Sequence, residues 1–187
     1  MVVKFLAPAA VTGLLLSAMV GPAQAVAQQA GPPTDSSFIQ MAGSIGLLQV
    51  RLGKLAEEKG SSAGVRDFGK RMVADYSKAN EELAAGAKQA AYPAPLMLRQ
   101  HKQLVDRFLG TGRSSFDKNY MAEMVKNHAE AVRLFQQEAE GGRVKSLKQL
   151  ASRMLPALQQ HLALATQTAG SVGADVTAST SGERRGF

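Results

Sequence analysis

The stretch FDKNYMAEMVKNHAEAVRLF, Phe116 to Phe135, decides the fold. Asp117, Met121, Met124, His128, Ala131 and Phe135 recur at spacings of three and four, so they share one face of an α-helix. That face is apolar except for a carboxylate and an imidazole. A buried polar side chain without a partner costs about 1–3 kcal/mol. This helix therefore needs other helices to cover its stripe and to supply those partners.

The flanking sequence repeats the pattern. A first helix, starting near Asp35 as its expected N-cap and ending at Gly60, aligns Phe38, Met41, Ile45, Leu48, Leu52 and Leu55. A second, from about Ser62, aligns Val65, Phe68, Met72, Asp75, Ala79 and Leu83, fades through an Ala-rich segment and stops at Pro93. A shorter third, over roughly 95–109, carries Leu98, His101, Val105 and Phe108, and Gly-Thr-Gly at 110–112 breaks it. The helix of the opening stretch follows, with Ser114 or Ser115 as its expected cap and Gly141-Gly142 as its end. The fifth, over about 144–168, aligns Leu147, Leu150, Met154, Leu158, His161 and Ala165, with Pro156 expected to bend it. Four long amphipathic helices and one short connecting helix predict an all-α four-helix bundle. No strand-like alternation of useful length and no fixed repeat occurs.

The first 25 residues carry Lys4, an apolar run from Phe5 to Val20, and Ala23-Gln24-Ala25 at small-residue spacing. This reads as a secretory signal peptide cleaved near Ala25 rather than as a spanning helix, because Pro8 and Gly13 interrupt a run that is already short. Removing 25 of the 187 residues leaves 162, enough for one domain. Residues 26–34 read as a flexible lead-in, 35–169 as the bundle and 170–187 as a disordered polar tail. The chain has no cysteine, which excludes disulfides, thiolate metal sites and a cysteine nucleophile. Its net charge is +7, or +6 without Lys4, and the cations are scattered among acids with no tryptophan. That excludes a nucleic-acid surface and predicts weak contact with anionic envelope surfaces, beside an unidentified envelope partner. No transmembrane segment is expected in the mature chain, and the expected location is the periplasm or cell envelope.

The polar residues on the stripes carry the functional question. Gln49, Asp75, His128 and His161 fall near the middle of their helices, where such bundles build metal and cofactor sites. One reading is a hydrogen-bonded network that fixes helix register. The other is a divalent metal held by Asp75, His128 and His161. A di-iron bundle needs Glu-x-x-His on two helices, yet Val125 and Leu158 stand three residues before the two histidines. Met72, Met121, Met124 and Met154 share the stripes; thioether and imidazole together suit copper(I), although methionine is a common core filler. His101 reads as a solvated or capping histidine at the rim. No Gly-x-Ser-x-Gly elbow or phosphate-cradling loop is present, so the reading is a non-enzymatic binding or structural protein with no cofactor expected, and a metal-binding or redox bundle is its alternative.

Four segments then carry a resemblance: RMVADYSKAN (71–80), FDKNYM (116–121), the histidine of VKNHAEAVRLF (125–135) and LPALQQHL (155–162). In order and spacing they resemble the exported bacterial family called domain of unknown function 4142, over about Asp35 to Thr168. The resemblance implies a ferritin-like helical bundle, often labelled an outer-membrane or secreted protein, with no established biochemical role. It implies that Asp117, His128 and His161 belong to the family's polar centre. It also implies that Gln49 replaces an acidic residue, and that Asp75-Tyr76 stands where the family has Asp-His. The expected site is thus a buried cluster of Gln49, Asp75, Tyr76, Asp117, His128 and His161 that has lost two ligands.

Overall fold

A computed structural model describes residues 34–176. The expected signal peptide, the expected lead-in up to residue 33 and the part of the expected tail beyond 176 lie outside the described residues. Five helices follow in order: α1 (Asp35–Lys59), α2 (Ala63–Gln89), α3 (Arg99–Gly110), α4 (Arg113–Gly141) and α5 (Lys145–Ser171). The expected all-α bundle is present. α1 and α2 form one antiparallel hairpin and α4 and α5 the other; α1 lies on α4, α2 lies on α5, and the short α3 leans on α1. No described helix is long and apolar enough to cross a membrane.

The core follows the stripes. Phe38, Leu48, Leu52, Val65, Phe68, Met72, Phe116, Met121, Met124 and Leu147 are each shielded to 2% exposure or less, and the rings of Phe38 and Phe135 meet edge-on at 5.0 Å to tie α1 to α4. α1 and α2 approach closely at two glycines. A Cβ on Gly53 would stand 2.8 Å from the Gly69 carbonyl oxygen, and one on Gly69 would stand 2.7 Å from that of Gly53. Only hydrogen fits there.

Several helix starts differ from expectation. Thr34, not Asp35, caps α1, its hydroxyl accepting from the Ser37 N–H. The Asp35 carboxylate instead crosses to the start of α5 and accepts from the N–H groups of Arg143 (2.9 Å) and Val144 (3.0 Å). Asp117 acts likewise from α4, accepting from Ser61 (2.9 Å) and Ser62 (2.8 Å) at the start of α2. The turns leading into α2 and α5 thus have N–H groups satisfied by a carboxylate of a neighbouring helix, which joins the hairpins at their ends, while the Ser62 hydroxyl caps α2 itself by accepting from the Val65 N–H. α3 begins at Arg99 because residues 95–98 run extended, and α4 begins at Arg113 after Gly112, with no serine cap. α5 passes the expected end of the bundle, reaching Ser171, and Val172, Ala174 and Val176 pack on the core.

Candidate functional site

His128 on α4 is fully buried, and its Nδ1 lies 2.8 Å from the Met124 carbonyl one turn earlier. A carbonyl can only accept, so Nδ1 carries the proton and Nε2 keeps its lone pair. Nε2 has no hydrogen-bond partner among the described residues. His161 on α5 repeats this logic with its nitrogens exchanged. Its Nε2 lies 2.8 Å from Asp75 Oδ2, so Nε2 is the donor, and the buried Nδ1 is left with a lone pair and no partner.

The two imidazoles are adjacent, with ring centres 5.7 Å apart, and Tyr76 of α2 closes a triangle at 5.9 Å from His128 and 5.6 Å from His161. The Tyr76 hydroxyl is buried and unpartnered, as are both amide atoms of Gln49 on α1 and the hydroxyl of Tyr120 on α4. Phe68 and Tyr120 complete an aromatic wall, the Phe68 ring lying 5.9 Å from His128 and 6.1 Å from Tyr120.

Burial sets the protonation states. Desolvation lowers the His128 pKa to about 4, against its backbone bond to Met124, which favours the charged form, and with the nearby His161 adding to the lowering. Desolvation also lowers His161, outweighing the opposing pull of Asp75. Burial raises both Tyr76 and Tyr120, so the phenols stay protonated. The centre therefore holds neutral groups at pH 7. Among the described residues the carboxylate touching it is Asp75, at the margin: its side chain is 43% exposed and also meets Arg71 at 3.4 Å. A cleft of about 260 Å³ between α2 and α5, floored by Asp75, Tyr76 and His161 and rimmed by Arg71, Lys78 and Arg153, leads to this margin.

The structure brings Asp75, Tyr76, His128 and His161 together and buries Gln49 in the same core. Three expectations need correction. Asp117 is not in the cluster; it is half-buried at the end of the bundle, where its carboxylate accepts from the Ser61 and Ser62 N–H groups just ahead of α2. Asp75 is not on the buried stripe. Met72 is followed on its face by Tyr76 rather than Asp75, because the aromatic ring gains more from burial than a carboxylate does. Asp75 therefore lies one bond behind the imidazole. His101 is also not solvated: it is buried on α3, with Nδ1 2.5 Å from the Ser44 hydroxyl, which accepts in turn from the Leu98 N–H. Sequence reasoning missed Tyr120 and Glu138. Both were within reach, since Tyr120 stands four before Met124 and Glu138 three after Phe135 on the stripe of α4.

Residues 20–168 match the family described as domain of unknown function (DUF4142). Among solved structures the chain is similar to one titled "CopM in the Cu(II)-bound form", with 16% identity over 75% of this chain and 98% of that chain and a TM-score of 0.63, a likeness of fold. No curated protein matches it.

Proposed function

The chain belongs to the DUF4142 family, and from that membership and its polar centre we propose a non-enzymatic binding protein of the periplasm or cell envelope whose cargo is a metal ion. One observation carries this reading: two buried, adjacent imidazoles each commit their N–H to a fixed acceptor and keep the other nitrogen as an unpartnered lone pair. A carbonyl or a carboxylate accepting from the far N–H in this way orients histidines that ligate metals. The ring separation suits it. Two nitrogens ~1.2 Å from their ring centres, each ~2.0 Å from one ion, put those centres about 5 to 6.5 Å apart, and they stand 5.7 Å apart here.

His128 and His161 are the ligands in this reading, with Tyr76 alongside, and Asp75 holds His161 rather than the ion. A bound ion would supply charge to which both lone pairs respond. Binding is favoured over turnover because the free nitrogens of both imidazoles are buried in the core rather than displayed in the cleft. The Cu(II)-bound bundle of the same fold is in keeping with a metal cargo. Export is supported by Lys4, the apolar run and Ala23-Gln24-Ala25; the scattered positive charge supports weak, salt-sensitive contact with anionic envelope surfaces.

Elemental analysis of protein purified from the periplasmic fraction without a metal-affinity tag tests the reading. Stoichiometric metal that is lost in a His128→Leu, His161→Gln variant is the expected result. Metal-free protein that also fails to bind copper or zinc added in excess would overturn it.

A further inference from the structure

We infer that the polar centre is selective for a soft monovalent cation, copper(I), over divalent ions such as zinc(II). This rests on the metal-binding reading above and is carried by charge, donor number and surroundings.

His128, His161, Tyr76 and Gln49 bring no formal charge into the core, and Asp75 contributes a single negative charge through the Nε2–H of His161. Arg71 draws on the same carboxylate oxygen. A monovalent ion at the two lone pairs adds a single positive charge, which this shared carboxylate offsets in part. A divalent ion leaves at least one positive charge uncompensated in an apolar bundle, and buried unpaired charge is strongly unfavourable.

Donor number points the same way. Among the described residues no group of three His, Asp or Glu side chains converges as a metal site, so the nitrogen donors are two. Zinc sites supply three or four protein ligands in tetrahedral array, whereas soft copper(I) is suited by neutral imidazole and thioether. The surroundings are soft as well: Met72 and Met124 are fully buried one turn before Tyr76 and His128 respectively. A polarisable, uncharged pocket with one external carboxylate is poorly matched to a hard or doubly charged ion.

The test uses the full chain, stripped of metal and titrated anaerobically with copper(I) delivered as its bicinchoninate complex, and in parallel with zinc(II) against a chromophoric chelator. One copper(I) is expected per chain, bound at least about a hundredfold more tightly than zinc(II), with an X-ray absorption edge of low-coordinate copper(I) bearing nitrogen ligands. His161→Gln should abolish that spectrum. Tyr76→Glu, which adds a carboxylate beside both imidazoles, should lower the copper(I)-to-zinc(II) ratio at least about tenfold. Zinc(II) binding as tightly as copper(I) at the same histidines overturns the selectivity and leaves the metal-binding reading standing. Binding of neither ion overturns both. Copper(I) that survives in His161→Gln with an unchanged spectrum places the ion elsewhere and overturns this site. The wild-type spectrum decides the matter even where a variant fails to fold.

Discussion

The bond between Asp75 and His161 joins a half-exposed carboxylate to a buried imidazole, so its two ends are unequal. Released from His161, Asp75 turns to water and to Arg71, whereas His161 without Asp75 is left with a buried N–H and no acceptor. Asp75→Ala should therefore cost about 1–3 kcal/mol by urea denaturation, and most of that cost should vanish in a His161→Phe background. Additive costs would mean that the bond contributes nothing to folding. The cluster's membership was only partly legible. From Met72 a helical stripe can continue at position 75 or 76, and periodicity does not choose between them; packing chose the larger apolar surface. The two histidines were readable because each stands four residues from an unambiguous apolar neighbour, Met124 or Leu158's successor turn at Ala165. Which ring nitrogen each would keep free depended on acceptors that spacing alone does not locate.

At the level of the elements, the α4–α5 turn carries a pair of buried acids. Glu138 is fully buried, and desolvation, with Asp35 alongside, raises its pKa to about 7 despite Lys148. Asp35 moves the other way: burial pushes it up, but the N–H groups of Val144 and Arg143 and the Glu138 side chain outweigh burial and hold it below the usual carboxylate range. The folded chain thus keeps the Glu138 proton longer than the unfolded chain does. Its contribution to stability is full below about pH 4.5 and is lost as pH rises through about 7. Glu138→Gln should match wild type near pH 5 and exceed it by on the order of 2 kcal/mol at pH 8. Urea midpoints at the two pH values check this, and an equal difference at both would refute it. The cross-helix carboxylates lead to a second expectation: Asp117→Ala should cost about 1–3 kcal/mol of stability, because the Ser61 and Ser62 N–H groups lose their acceptor, with no change in metal content. Loss of metal alongside would return Asp117 to the site. A third concerns the glycine contact, where Gly69→Ala should destabilise by about 1–3 kcal/mol despite alanine's better helix propensity, because two helix backbones must part. A neutral or raised melting temperature would show that the helices move apart freely.

Across the whole molecule, the bundle is closed at one end by the turn that follows α5. Val172, Ala174 and Val176 pack on the core, and the Ala174 N–H bonds to the Ala169 carbonyl at 2.9 Å. A chain ending at residue 169 should therefore melt several degrees below one ending at 176, and equal melting temperatures would show that this turn contributes nothing. The sequence by itself determined the helix count, the short third helix, the apolar stripes and the family, because each is written in local periodicity, in Gly and Pro breaks, or in motifs a few residues long. Tertiary structure alone decided that Asp35 and Asp117 satisfy N–H groups of turns far away in the chain, that Asp75 stands behind His161, and that His101 is buried against Ser44. The physical reason is common to all four. A polar side chain can satisfy its hydrogen bonds at any of several nearby groups, and which of them comes within 3 Å is set by how whole helices pack, to which a three-four spacing is blind.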